Sequence, residues 1–256
     1  METAISPTTR TVEPEFGGPH PWQTTGWARV VRRIMRYREY TRWVNGYCTP
    51  LSVHGRENLD AIDGPVIFIA NHQSHMDTPV IVESLPDRIR DNLFFGAAAD
   101  RWFVKGKKKL ILQPWYQSLV MGNFPIVRGG GAKTLNYARW LLGQGSHICI
   151  FPEGTRATSD ELGQFRHGVM LLSRAAGVPV VPIVLKGLRE LRPKGSRTIK
   201  PGPVSATILA PIQIPNHYSI EDATALMREA MNREYAPAKE IPPATTKEEH
   251  HYTKAA

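Results

Sequence analysis

Residues 65–77 read Pro-Val-Ile-Phe-Ile-Ala-Asn-His-Gln-Ser-His-Met-Asp. Pro65 to Ala70 is a short, continuous apolar run of the kind found in strands buried on both faces. It gives way without a spacer to Asn71, His72, Ser74 and Asp77. Similar runs occur at Leu93 to Ala99, Phe124 to Val127, His147 to Phe151, Val178 to Leu185 and Ser205 to Ile212. Helical periodicity fills roughly 26–46, 78–85, 132–144, 165–176 and 219–235. Buried strands alternating with helices predict an α/β fold: a single domain with a mostly parallel central sheet flanked by helices, plus an N-terminal amphipathic helical segment. Ligands of such sheets bind beyond the carboxyl ends of the strands, so the polar residues after each run are the candidates for function.

Flanking segments set the domain limits. Residues 1–24 are rich in Thr, Pro and Gly, and 237–256 are polar with prolines and no periodicity, so both are predicted to be disordered. Between them, 25–50 forms the amphipathic helical segment and 51–236 the α/β domain. Hydrophobic residues make up 41% of the chain, enough for a buried core. Lys and Arg number 32 against 23 Asp and Glu, a net +9 that favours an anionic partner or is only a solvated surface. Cys48 and Cys149 are far apart, and Cys149 lies in an apolar run, so two free thiols in a reducing compartment are expected. No secretory signal and no run of about 18 apolar residues is visible. Any membrane contact is therefore expected to be peripheral, at the cytoplasmic face, and no nucleic-acid module is recognisable.

The segment Gly26 to Tyr47 places Trp27, Val30, Val31, Ile34, Tyr37 or Tyr40, Thr41 and Val44 at helical spacing. Six arginines accompany one acid, Glu39. An apolar stripe, a cationic face and tryptophans near both ends suit a helix lying in an anionic bilayer surface. The plain alternative is a helix packed on the sheet with a charged outer face. A second basic cluster, Lys105 to Lys109, continues that surface, meets an anionic substrate, or is merely solvated.

Four constellations bear on chemistry. A neutral imidazole at His72 can take a proton near neutral pH. Asp77, five residues on, points about 140° away in a continuous helix, so the two meet only if a bent loop leads into a helix near Thr78. The carboxylate would then fix the imidazole tautomer. Alternatives are an N-cap role for Asp77 and a loosely spaced metal site of His72, His75 and Asp77. Phe151-Pro152-Glu153-Gly154-Thr155-Arg156 follows another strand; Arg156 offers a planar fork for phosphate, or pairs internally with Glu153. Gly122 to Arg128 ends at a glycine triplet able to expose N–H groups to an anion. Val178-Pro179-Val180-Val181-Pro182 on its own indicates an edge strand or a special turn.

In this order and spacing the four resemble the motifs of the glycerolipid acyltransferase family, typified by 1-acylglycerol-3-phosphate O-acyltransferases. N-H-x-S-x-x-D is matched by Asn71, His72, Ser74 and Asp77; F-P-E-G-T-R by Phe151 to Arg156; G-x-x-F-I-x-R by Gly122, Ile126 and Arg128, with Pro125 departing; and the V-P-rich run by Val178 to Pro182. The resemblance implies acyl transfer in phospholipid biosynthesis, from acyl-CoA or acyl carrier protein to a phosphorylated glycerolipid acceptor, lysophosphatidate first. It implies His72 and Asp77 as the catalytic pair. Arg128, Glu153, Gly154, Thr155, Arg156 and Lys105 are the substrate-binding candidates. No metal and no tightly bound cofactor is expected.

Overall fold

The computed structural model describes residues 19–103, 109–127, 129, 135–159, 161–193, 195, 196, 198–215 and 217–235. Seven strands, β1 (Cys48–His54), β2 (Ile67–Ala70), β3 (Leu93–Ala98), β4 (Asn123–Ile126), β5 (His147–Ile150), β6 (Val180–Lys186) and β7 (Gly202–Ile208), form one sheet in the order β1-β7-β6-β2-β5-β3-β4. The block β6-β2-β5-β3-β4 is entirely parallel. β7 runs antiparallel to β6, and β1 joins β7 in parallel. The helices are α1 (Gly26–Arg36), α2 (Arg42–Tyr47), α3 (Asp77–Ser84), α4 (Asp87–Arg90), α5 (Ala99–Trp102), α6 (Pro114–Tyr116), α7 (Asn136–Gly143), α8 (Gly168–Ala176), α9 (Leu188–Leu191) and α10 (Ile220–Tyr235).

Side-chain alternation along the strands builds a core on each face of the sheet. Phe68, Phe95, Cys149, Val181 and Leu185 meet Val80 and Ile81 of α3 and Tyr40 and Val44 on one face. Ile67, Ile69, Phe94, Ile148 and Val184 meet Leu141 of α7, Leu172 of α8 and Met227 of α10 on the other. Cys48 and Cys149 are free and buried.

Three sequence expectations change. Cys48 to His54 is a strand, β1, so the N-terminal helical stretch stops at Tyr47 instead of reaching 50. Disorder does not extend through residue 24: Pro21–Thr24 is a 3-10 turn with Gln23 buried beneath it, while residues 1–18 and 236–256 lie outside the described residues. The proline-bearing β6 is not an edge strand but lies between β2 and β7. Pro182 is tolerated there because its carbonyl, on the β7 side, accepts the Leu209 N–H at 2.8 Å, just past the last ladder pair, Ile183 with Ile208. Its missing N–H faces that same side, past the last ladder pair, so the parallel bonds to β2 lose nothing.

The largest departure concerns α1. A π turn (Tyr37–Thr41) joins it to α2. Positions Ala28, Arg32, Arg36, Tyr40 and Val44, each four apart, are all buried. An α-helix drifts by about 40° over four residues, and the wider π turn takes back part of that drift. Two arginines thus face the sheet, while Trp27, Val30, Ile34 and Tyr37 face outward, each more than half exposed. The arginines are tolerated inside because their guanidiniums satisfy chain ends. Arg36 donates to the carbonyls of Arg90, Leu93 and Met121 at 2.8, 2.9 and 3.1 Å. Arg32 donates to the Gln23 carbonyl at 2.9 Å and lies 4.3 Å above the Phe94 ring. Burial, then the like charges nearby, pushes the Arg32 guanidinium down to about 9, and burial pushes Arg36 down to about 10.

Candidate active site

The carboxyl ends of β2, β3, β4 and β5 meet at one cavity of about 760 Å³. β2 delivers the first motif. Beyond its last residue, the amide side chain of Asn71 takes over from the backbone: its Nδ2 donates to the Leu185 carbonyl at 2.9 Å and its Oδ1 accepts the Leu185 N–H at 2.7 Å. The chain then bends instead of entering a helix, and α3 begins only at Asp77. His72 Nδ1 and Asp77 Oδ2 consequently stand 2.6 Å apart.

Asp77 is wholly buried, and its carboxylate also accepts the backbone N–H groups of Gln73, at 2.8 Å, and of Ser74, at 2.9 and 3.0 Å. It turns back onto its own loop and does not cap α3, whose N-cap, Met76, lacks a side-chain bond. A carboxylate at Nδ1 fixes the proton on that nitrogen and leaves Nε2 as the bare lone pair. The His72 ring stacks on Phe151 at 4.2 Å and remains partly accessible, at 22%.

The third motif braces the first. Glu153 Oε1 accepts the His72 N–H at 2.9 Å, Glu153 Oε2 accepts the Gly163 N–H at 3.2 Å, and the His72 carbonyl accepts the Ala157 N–H at 2.7 Å. Burial raises the Glu153 carboxyl above its ordinary range, against the lowering effect of those two N–H bonds. Glu153 does not line the cavity; Gly154, Thr155 and Arg156 do. At Gly154, φ is +69°, and a Cβ would lie 2.8 Å from Arg166 Nε, so only glycine admits that guanidinium.

Gly122 opens the second motif with φ +65°, where a Cβ would meet Arg36 at 2.3 Å. Its bareness makes room for the buried arginines, whereas Gly130 and Gly131 of the triplet lie outside the described residues. Val127 and Gly129 line the cavity, whereas Arg128 and Lys105 lie outside the described residues. His75, weighed in sequence as a metal ligand, packs edge-on against Trp102 and meets Arg101 Nη2 at 3.5 Å. Among the described residues no three His, Cys, Asp or Glu side chains are grouped to hold a metal.

Three cavity-lining cations come from outside the four motifs: Arg101 in α5, after β3, Arg166, just before α8 and against Gly154, and Arg192, after α9. No pattern in the sequence marks them as cavity residues. The lining also includes apolar and aromatic side chains, among them Tyr40, Trp43, Phe95, Ile111, Met121 and Ile126. The cavity can therefore hold an anion and an apolar chain together beside a basic nitrogen.

A histidine–carboxylate pair at the switch point of an open α/β sheet, beside guanidiniums and an apolar recess, marks a group-transfer site. The chain belongs to the Acyltransferase family, whose profile matches residues 50–186. It is 29% identical over 219 residues to a 1-acyl-sn-glycerol-3-phosphate acyltransferase of Chlamydomonas reinhardtii, covering 83% of this chain and 60% of that protein. A chloroplastic 1-acyl-sn-glycerol-3-phosphate acyltransferase of Arabidopsis thaliana is 31% identical over 152 residues, 58% of this chain and 39% of that protein. The chain thus spans about 39 to 60% of the length of these curated relatives. The crystal structure of the 1-acyl-sn-glycerophosphate acyltransferase PlsC from Thermotoga maritima superposes with a TM-score of 0.63 at 26% identity, covering 83% of this chain and 80% of that one.

Proposed function

We propose that this protein transfers a fatty acyl group from a thioester, acyl-CoA or acyl carrier protein, to the free hydroxyl of a glycerophosphate lipid precursor, lysophosphatidate first, in phospholipid biosynthesis. The observation that carries the proposal is the 2.6 Å contact of His72 Nδ1 with a buried Asp77, on the lining of a cavity that also carries guanidiniums and apolar side chains.

His72 Nε2 takes the acceptor hydroxyl proton as its oxygen attacks the thioester carbonyl. The carbon–sulfur bond then breaks, and the proton passes from the imidazolium to the leaving thiolate. Asp77 stabilises the imidazolium and holds its orientation. A positioned base contributes ~10²–10⁴-fold. Arg156 holds the acceptor phosphate and so brings the hydroxyl to the base. Glu153 positions the loop, and the Tyr40, Phe95 and Ile126 wall takes the acyl chain. The chemistry needs no resident metal or cofactor, because the thioester is already activated.

Docking at a bilayer accounts for the outward apolar residues of α1. Trp27, Val30, Ile34 and Tyr37, with Leu110, Ile111 and Trp115 nearby in the chain order leading to the π turn (Gln117–Met121) on which α1 packs, are exposed. Ile111 and Trp43 belong both to the exposed set and to the cavity wall, which gives a chain in the bilayer a route inward. No helix among the described residues is long and apolar enough to cross a membrane, and we place the protein peripherally at the cytoplasmic face.

Incubation of the pure protein with labelled acyl-CoA and a panel of phosphorylated acceptors tests the proposal by product identity. Labelled phosphatidate is expected from lysophosphatidate, and His72→Ala should abolish it with the fold intact. Near-normal turnover by that variant would remove His72 as the base.

A further inference from the structure

The motif arginines do not account for all the charge on the cationic wall. Arg101 and Arg192 line the same cavity as His72 and Arg156 but lie on different elements, one after β3 and one after β6; Arg166 also lines it, with its guanidinium against Gly154. The Arg101 guanidinium is set by the Trp102 ring, 5.4 Å from its centroid, and by His75 Nε2 at 3.5 Å. Arg192 is joined to the catalytic loop through its own carbonyl, which accepts the Ser74 hydroxyl at 3.4 Å, and its Nε reaches the Ser196 carbonyl at 3.5 Å. Among the described residues no carboxylate pairs with Arg101 or Arg192.

These groups feel one another. Burial first, then Arg101 and Arg192, lowers the Arg156 guanidinium from its ordinary value. Burial first, then Arg156, Arg101 and Arg192, holds the His75 imidazole down to about 4. At neutral pH His75 is thus an uncharged prop for Arg101. Like charges gathered on one wall repel, and an anion among them relieves that repulsion.

We infer that Arg101 and Arg192 are acceptor-binding residues which, with Arg156, form a three-guanidinium cradle beside His72 for a dianionic phosphomonoester. The inference rests on the acyl-transfer reading above and narrows it. A phosphomonoester presents three terminal oxygens and close to two negative charges, whereas a phosphodiester presents two oxygens and one charge. The Ser74 contact ties Arg192 to the loop that carries His72, so a phosphate held here keeps the adjacent glycerol hydroxyl within reach of the base.

Arg101→Gln and Arg192→Gln test the cradle in the full-length protein. Each is expected to raise KM for lysophosphatidate on the order of 10- to 100-fold while leaving KM for acyl-CoA unchanged. The preference for lysophosphatidate over lysophosphatidylglycerol of the same chain should shrink, and Arg→Lys should recover part of the loss. Without turnover, millimolar glycerol 3-phosphate should raise the wild-type Tm, and both Gln variants should lose that shift. A rise in KM for acyl-CoA alone would assign these arginines to the donor's phosphates and overturn the cradle, as would an unchanged acceptor KM with an unchanged Tm shift. Should the wild type acylate no acceptor yet show an arginine-dependent shift, the cradle stands and the acyl-transfer reading falls.

Discussion

The loop after β2 and the helix α1 are both rich in polar and charged residues, yet they use them in opposite ways. In the loop the polar groups of the first motif meet partners at the strand end, some local and some from neighbouring segments. Asn71 replaces a lost strand pairing, Asp77 turns back onto His72, and the backbone of His72 is fixed by Glu153 and Ala157. In α1 Arg32 and Arg36 go inward, whereas Trp27, Val30 and Ile34 go outward. Arg36 satisfies the carbonyls of three separate segments, and Trp27 and Ile34 are left to whatever covers that face. A polar residue type therefore marks function where the chain leaves a strand end, and marks packing where a long side chain can reach orphaned carbonyls.

The contrast can be broken by experiment, starting from the loop. Asp77→Asn keeps an acceptor for the backbone N–H groups but no longer stabilises an imidazolium. We expect kcat to fall on the order of 10²–10⁴-fold with little change in acceptor KM; a rise in KM alone would show that the pair only shapes the pocket. Arg36→Met should act on stability and not on chemistry. It strands three carbonyls, part of which water can reach, and should lower the free energy of unfolding in urea by about 2–4 kcal/mol. If kcat fell with unchanged stability, α1 would belong to the catalytic machinery after all.

A smaller effect is expected from His147, buried at the start of β5 against Phe68 and held near 4 by burial and then by Arg88. Because the folded pKa lies below the unfolded 6.5, the unfolded chain takes up a proton the fold refuses. Stability is full above about pH 6.5 and declines as pH falls toward 4, by on the order of 2 kcal/mol. His75 acts with the same sign over the same window. His147→Leu should flatten the slope of Tm against pH; an unchanged slope would place the acid sensitivity elsewhere. The smallest change in stability belongs to Trp27→Ser with Ile34→Ser, within about 0.5 kcal/mol. The same double variant should lose sedimentation with anionic vesicles. Retained vesicle binding would give docking to another face.

Much of the fold could be read from the chain because six of the seven strands carry their own hydrophobic signal. β1 was missed because Cys48-Thr-Pro-Leu-Ser-Val-His54 has a polar, proline-bearing pattern and is a strand only by pairing with β7. His72, Asp77 and Arg156 announced themselves through spacing along the chain. Arg101 and Arg192 did not, since nothing in ADRW or ELRP separates a cavity residue from a solvated one until β3 and β6 are placed on either side of β2 and β5.

What the sequence determined alone was local: which runs are strands, where they end, and which polar groups stand just beyond them, because apolar periodicity and turn chemistry act between near neighbours. What only the tertiary structure decided was direction. Whether a guanidinium meets a phosphate, a carbonyl or water depends on strand order and on the phase of a helix across a single π turn. Those are set by packing between residues far apart in the chain.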